Sequence, residues 1–166
     1  MTFQAWPKIP RFENESFYFT EKLDGTNACV AFHADGSYHV QSRSRIIAPG
    51  DDNFGFAGWV AANIDDLRKL GEGYHYGEWW GLGIQRGYGL GEKRFSLFNT
   101  QRWNDDNPNR PACCSVVPTI RAATLADARQ QLIDNGSVAA PGWIKPEGIV
   151  MFSKQAQTLY KSIIDK

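Results

Sequence analysis

The chain lacks an excess of charge of either sign, since its 18 Lys and Arg residues balance 18 Asp and Glu residues. A general polycation that binds nucleic acid through bulk charge is therefore disfavoured, although a local basic patch is not. No apolar run approaches the roughly 18 residues of a membrane span, and residues 1–11 lack the apolar stretch of a signal peptide. Three cysteines with no Cys-x-x-Cys pair predict reduced thiols in a soluble, cytoplasmic protein.

The sequence does contain enough apolar material for a core, because 42% of its 166 residues are hydrophobic and 13% are aromatic. The length is close to about 150 residues, which is typical of a single domain. We therefore expect one domain over residues 1–166, with no second sizeable domain.

The pattern of apolar residues predicts a strand-rich α+β domain rather than alternating βαβ units. A hairpin is predicted from strands 27–33 and 38–42, which flank Asp35-Gly36, a dipeptide favoured at the positive-φ positions of a tight turn. Thr124 and Gly136 bracket a helix at 125–135. A second helix is predicted at 55–70, ended by Gly71, and further strands at 17–20, 74–80, 94–98, 149–152 and 158–164.

Glycine is concentrated in one part of the chain, because eight of the 16 glycines lie between Gly71 and Gly91. We interpret this segment either as a flexible lid or as a place where the backbone approaches a ligand closely.

Lys22 is a candidate nucleophile, because it follows a predicted strand and precedes Gly25, Thr26 and Asn27. The glycine allows close backbone approach to a ligand, and the two polar side chains offer hydrogen bonds. By itself, Lys-x-Asp-Gly is more often a surface turn. Further motifs follow it in order: Ser42-Arg43-Ser44-Arg45, Gly77-Glu78-Trp79-Trp80-Gly81, Phe95-Ser96-Leu97-Phe98, Glu147-Gly148-Ile149-Val150 and Lys161.

This ordered set resembles the collinear motifs of the covalent nucleotidyltransferases, the superfamily of polynucleotide ligases and messenger-RNA capping enzymes. It is most similar to the RNA ligase 2 family of ATP-dependent RNA ligases. The similarity is strongest over residues 21–27 and 77–98, and it extends from about Phe17 to Lys161. The resemblance implies a minimal, single-domain ligase built as an adenylation domain of antiparallel sheets with a few helices.

The resemblance also implies the reaction and its catalytic residues. Lys22 would attack the α-phosphorus of ATP, form lysyl-AMP and release pyrophosphate; AMP would pass to an RNA 5′-phosphate, and a 3′-hydroxyl would displace it. Glu147 would act through Mg²⁺ or Mn²⁺, and Lys161 would contact the α-phosphate. Nearby cations and the metal would favour the neutral, nucleophilic form of a lysine amine, since a free lysine has a pKa of about 10.4.

A second group of residues would bind the nucleotide. Glu21 and Asn27 would border the adenosine, Arg43 would position the nucleotide and the acceptor strand, Glu78 would hydrogen-bond the ribose, and Phe98 would stack on adenine. The expected partners are RNA ends or a nicked duplex, with no membrane; the oligomeric state stays open.

Each of these residues could instead have a purely structural role without contacting a ligand. Arg43 fits a solvated strand end, Glu147 the start of a strand, and Lys161 an ordinary surface position. Because strand alternation places Phe95 and Phe98 on opposite faces, one of them belongs to the core, and the pattern alone does not decide which. No metal-ligand spacing joins the three histidines His33, His39 and His75.

The sequence departs from the family at its C-terminal motifs. Related ligases carry two lysines one residue apart where this chain has Leu159 and Lys161, and often a lysine where it has Phe152. Lys154 is a candidate to compensate. Because the chain ends shortly after Lys161, we expect no C-terminal domain like that of larger relatives, and we expect adenylation to be better supported than complete strand sealing.

Two alternatives remain at this stage. A DNA ligase or a GTP-using capping enzyme would share the Lys-Leu-Asp-Gly motif, whereas the Gly-Thr-Asn run and residues 77–98 favour an RNA ligase. A catalytically weak nucleic-acid-binding module would use exposed aromatic rings for stacking. Retention of Lys22, Glu78 and Glu147 favours an enzyme over such a module.

Overall fold

Two β-sheets organise residues 1–164, which are the residues that the computed structural model describes. One sheet has the strand order β10-β9-β1-β8 and the other β4-β3-β2-β5-β6-β7; pairs are antiparallel except β6 with β7. The strands are β1 Phe17–Lys22, β2 Thr26–Phe32, β3 Tyr38–Ser42, β4 Ile46–Ile47, β5 Gly73–Gly81, β6 Lys93–Leu97, β7 Cys114–Val116, β8 Thr119–Ile120, β9 Gly148–Ser153 and β10 Thr158–Ile163. The α-helices are α1 Phe56–Ala62, α2 Ile64–Leu67 and α3 Leu125–Asn135, and 3₁₀ turns span Phe12–Asn14 and Arg68–Leu70.

The six-stranded sheet buries one face against α1, α2 and the turn after them. Val30, Trp79 and Phe95 point to this side and pack with Phe56 of α1 in the largest core cluster. Phe95 is fully buried. Because side chains alternate along a strand, the neighbours of these residues in sequence face the other, open side of the sheet.

The four-stranded sheet buries one face against α3. Phe19 and Ile149 from the strands pack with Ala128 and Leu132 of the helix. Thr124 caps the helix by accepting a hydrogen bond from the Asp127 N–H at 3.1 Å, as expected from the sequence. The other face of this sheet stays open.

A short connection from β1 to β2 brings the two open faces together. Leu23 of this connection is buried with Trp80 and Tyr88, which fixes the chain between the sheets. Residues at the end of β1 and the start of β2 therefore lie where both open faces meet.

The α+β prediction is confirmed, with local differences. The predicted helix 55–70 is broken at Asn63, whose side-chain amide donates to the Trp59 carbonyl at 2.8 Å and so competes with the backbone ladder. The hairpin is present, but of its Asp35-Gly36 dipeptide only Gly36 has a positive φ, +85°. The short strands β4, β7 and β8 were not predicted, because two or three residues are too few to show a period. No helix within residues 1–164 has the length and apolar character of a membrane span.

Candidate active site

Lys22 forms an ion pair with Glu147 at the end of β1. The Lys22 Nζ and Glu147 Oε2 atoms are 2.8 Å apart, and the two side chains are 25% and 16% exposed. Antiparallel pairing of β1 with β9 sets Lys22 opposite Gly148, so the preceding residue, Glu147, lies beside the lysine. Two residues predicted to be catalytic are thus brought together.

Glu78 approaches the same loop from the second sheet. Its Oε1 accepts a hydrogen bond from the Gly25 N–H at 3.1 Å. Burial raises the pKa of Glu78 to about 7, although the nearby Lys22 ammonium and the Gly25 N–H lower it. A Cβ at Gly25 would collide with the Trp79 carbonyl oxygen and the Trp80 side chain, so only glycine allows this approach.

The glycine-rich segment holds the Lys-Leu-Asp-Gly motif in place. Tyr88 is 3% exposed, and its hydroxyl accepts a hydrogen bond from the Asp24 N–H at 2.7 Å. The Arg86 Nε donates to the Asp24 carboxylate at 2.9 Å. The segment is packed onto the site and does not form a free lid. Sequence reasoning assigned no role to Asp24, Arg86 or Tyr88, although the matched stretch 77–98 includes two of them.

Lys161 lies on the same face of the four-stranded sheet as Lys22. Lys161 pairs with Val150, which in turn pairs with Thr20, two residues before Lys22. Alternation therefore directs the Lys161 and Lys22 side chains to the same side. Lys161 is exposed on that open face.

The positions that lack family lysines form an apolar row on this face. Leu159 pairs with Phe152, which pairs with Tyr18. Lys154 lies two residues after Phe152, just beyond the end of β9, and is therefore far from Lys22. At about 3.3 Å per residue, it is roughly 20 Å along the strand from Gly148 and the Lys22 end.

Asn27, Glu78 and Phe98 share the open face of the six-stranded sheet. Asn27 and Glu78 are directly paired, and Glu78 also pairs with Ser96, two residues before Phe98. Phe98 is 40% exposed, in contrast to Phe95, and its N–H donates to the Tyr76 carbonyl at 3.0 Å. The structure therefore decides the question of the two phenylalanines: Phe95 is core, and Phe98 has a free ring surface.

The Glu21 side chain points away from Lys22, so the expectation that Glu21 borders the nucleotide stays a prediction for its backbone. It is 1% exposed and accepts hydrogen bonds from the Ser137 hydroxyl at 2.6 Å and from the Val138 and Ala139 N–H groups, both at 2.9 Å. Burial raises its pKa, an effect that these hydrogen bonds partly offset. Alternation explains the orientation, since adjacent residues of β1 face opposite sides.

Arg43 directly follows β3 and is exposed. It has no hydrogen bond or ion pair with any residue in the range 1–164. Its neighbour Arg45 is instead engaged by Asp51, with the two charged groups 2.8 Å apart. Of the two arginines in this motif, Arg43 is thus the one available to a ligand.

The carboxylates suit a metal that takes few protein ligands. Among the described residues, no group of three or more His, Cys, Asp or Glu side chains forms a metal cage. Mg²⁺ keeps several waters and commonly uses one or two carboxylates together with substrate phosphates. Glu147, partly exposed at the open face, fits that requirement.

A family comparison identifies the chain. The model for the family described as RNA ligase matches residues 15–163. The chain belongs to the RNA ligase family. Comparison with curated proteins finds no matching sequence.

Solved structures of the Naegleria gruberi RNA ligase share the fold of this RNA ligase family member. A variant without ligand has a TM-score of 0.62 at 20% identity, and a variant with AMP and Mn has 0.62 at 21%. The structure with PPi gives 0.59 at 20% identity. Each alignment covers 90% of this chain and 49% of the Naegleria chain, so the present chain spans about half the length of these neighbours.

Proposed function

We propose that this chain carries the adenylation activity of an ATP-dependent RNA ligase and acts through a lysyl-AMP intermediate. The observation that carries the proposal is the Lys22–Glu147 ion pair, 2.8 Å between Nζ and Oε2, at the junction of two open sheet faces. Membership of the RNA ligase family supports RNA as the substrate class. The AMP, ATP and Mn complexes of the Naegleria enzyme support the choice of nucleotide and of a divalent cation.

In the first step, the neutral Lys22 amine attacks the α-phosphorus of ATP. A bond forms between Nζ and phosphorus, the bond from phosphorus to the bridging oxygen of pyrophosphate breaks, and Nζ loses a proton. Glu147, 2.8 Å from Nζ, is close enough to take the proton that Lys22 gives up to become the attacking amine, and the proton lost from Nζ after attack passes to solvent, to which Lys22 is 25% exposed. Mg²⁺ or Mn²⁺ held by Glu147 would neutralise phosphate charge.

The remaining residues of the open faces bind the nucleotide. Glu78 and Asn27, paired on adjacent strands, would hydrogen-bond the ribose and border the adenosine. The exposed face of Phe98 would stack on adenine. Lys161 would contact the α-phosphate, and the exposed Arg43 guanidinium would bind the nucleotide or the acceptor strand.

The later steps join RNA ends. The AMP group passes from Lys22 to a 5′-phosphate, and a 3′-hydroxyl then attacks that phosphate and releases AMP. The substrates are RNA ends or a nicked duplex. We expect ATP to be used in preference to GTP, which a labelling competition between the two nucleotides would measure.

Labelling with α-³²P ATP and Mg²⁺ tests the proposal. Wild-type protein should gain one covalent AMP, and Lys22→Ala should gain none, because the nucleophile is absent. Lys154→Ala is the matched control: it removes an exposed lysine at the far end of β9 and should label like wild type. Normal labelling of Lys22→Ala would refute the assigned nucleophile, and absence of label from wild-type protein would refute the proposed activity.

A further inference from the structure

The open face of the six-stranded sheet continues beyond the residues assigned to the nucleotide. Tyr76 and Tyr74 follow Glu78 at two-residue intervals back along β5, so all three side chains face the same side. Tyr76 pairs with Cys29, and Tyr74 pairs with Ala31, which in turn pairs with His39 on β3. Both tyrosines lie about half exposed, at 52% and 53%.

Ring contacts order these side chains into one surface. Tyr74 and Tyr76 are nearly parallel, with centroids 6.2 Å apart and planes at 19°. His39 meets Tyr74 edge-on at 5.5 Å, and its ring lies nearly parallel to that of His33, with centroids 4.9 Å apart. The two histidine rings also share a hydrogen bond of 2.8 Å, which fixes their orientation. We call Tyr74, Tyr76, His39 and His33 the aromatic strip.

The aromatic strip adjoins the nucleotide-binding row. Phe98 is hydrogen-bonded through its N–H to the Tyr76 carbonyl, so Tyr76 lies beside the proposed adenine platform on the neighbouring strand. Cys29 and Ala31, the small residues paired with Tyr76 and Tyr74, are buried at 2% and 0% exposure, whereas the two tyrosines stay about half exposed. Arg43, exposed at the end of β3, offers a cation for a backbone phosphate near the same face.

We propose that the aromatic strip binds unpaired nucleotides of the RNA strand by base stacking, next to the nucleotide site. Stacking on exposed aromatic rings is the usual way in which proteins hold single strands without reading their sequence. Bases within a duplex are already stacked on one another, so the strip favours an unpaired segment over a continuous helix. When no RNA is bound, the tyrosine hydroxyls and the imidazole nitrogens can form hydrogen bonds with water, so the strip can remain exposed to solvent.

The identification of the strand as RNA rests on the proposed function, but the binding itself is tested separately. The probe is a fluorescently labelled single-stranded RNA oligonucleotide, followed by anisotropy, with the same strand in a blunt duplex as comparison. Wild-type protein should bind the single strand at least about tenfold more tightly than the duplex. Replacing several bases by abasic sites should weaken the binding by at least about tenfold, since each base stack contributes that order of affinity.

The variant Tyr74→Ala/Tyr76→Ala should bind the normal strand about tenfold more weakly than wild-type protein does. On the abasic strand, the variant and wild-type protein should have nearly the same affinity. Tyr74→Phe/Tyr76→Phe should keep the affinity, because the rings remain. The matched control is Tyr160→Ala, which removes a tyrosine of the same 52% exposure from β10, outside the strip. This control should bind like wild type.

Several outcomes would overturn the inference: equal affinity for single strand and duplex, equal affinity for normal and abasic strands, or no binding at all. Conversion of a dimer to a monomer by the double alanine variant would show that a second copy covers the strip, which also contradicts the inference. Should that variant fail to fold, the abasic comparison on wild-type protein still decides. ATP labelling of wild-type protein stays informative throughout, so failure of the strip and failure of the ligase proposal are distinguishable.

Discussion

Glu78 is a carboxyl group that the fold holds in an unfavourable environment for its charge. It is 8% exposed, and burial raises its pKa from 4.5 to about 7. An unfolded chain would release this proton near pH 4.5, whereas the folded chain keeps it until about pH 7. Ionisation of Glu78 therefore costs stability progressively as the pH rises through this window, and the cost is complete above it.

We expect Glu78→Gln to reduce the loss of stability between pH 5 and pH 8, because the amide does not ionise. The shift from 4.5 to about 7 corresponds to a contribution on the order of 3 kcal/mol. Chemical unfolding at the two pH values measures it. Glu13→Gln, at an exposed position, should keep the wild-type difference. An unchanged difference in Glu78→Gln would contradict the burial argument.

Glu147→Gln should retain the fold and lose most of the adenylation rate. The amide preserves the size of the side chain but removes the charge that pairs with Lys22 and would hold the metal. Loss of a positioned proton-transfer group typically costs about 10²- to 10⁴-fold. Single-turnover labelling with ATP gives the rate, with Glu13→Gln as control. A wild-type rate would show that Glu147 does no more than fix the lysine.

At the scale of elements, the connection between β1 and β2 depends on two different supports. Tyr88 and Arg86 hold Asp24 from the glycine-rich segment, while Glu78 holds the Gly25 N–H from β5. The lysine at the end of β1 is thereby tied to both sheets. Its position is set by these two supports packed around a four-residue motif.

Gly25→Ala should lower the thermal midpoint and abolish AMP labelling. A Cβ there collides with backbone atoms of β5, which cannot give way without breaking the pairing around Glu78. Gly91→Ala is the control, since its Cβ would meet no atom within 4 Å. Calorimetry and labelling on both variants make the comparison. Equal behaviour of the two alanines would mean that the close approach at Gly25 has no consequence.

At the scale of the whole molecule, each sheet has one packed face and one open face, and the candidate site lies between the open ones. Phe95 and Phe98 sample both sides of one sheet within three residues. Phe95, on the packed face, stabilises the protein, whereas Phe98, on the open face, is available to a ligand.

We expect Phe95→Ala to cost about 3–5 kcal/mol of unfolding free energy, the usual cost of emptying a buried phenylalanine position. Phe98→Ala should leave stability nearly unchanged and weaken ATP binding by about 1–3 kcal/mol through lost stacking. Denaturant titration and calorimetric ATP binding separate the two effects. The opposite assignment of effects would mean that Phe98, not Phe95, supports the core.

Local patterns in the sequence determined much of the fold. The strand at 17–20, the hairpin around Gly36 and the capped helix after Thr124 follow from alternation, turn chemistry and capping, all of which act over a few residues. The order of the motifs was sufficient to indicate the RNA ligase family, which the match over 15–163 confirms.

Tertiary structure decided which of those residues form a site. Lys22 and Glu147 are 125 positions apart, and only the register of β1 against β9 brings them within hydrogen-bonding distance. The same register turns Glu21 into a buried anchor for Ser137, and the sheet order directs Phe98 outward. Such pairings depend on which faces are buried when distant segments pack, and burial is a property of the assembled sheets that no local stretch of sequence contains.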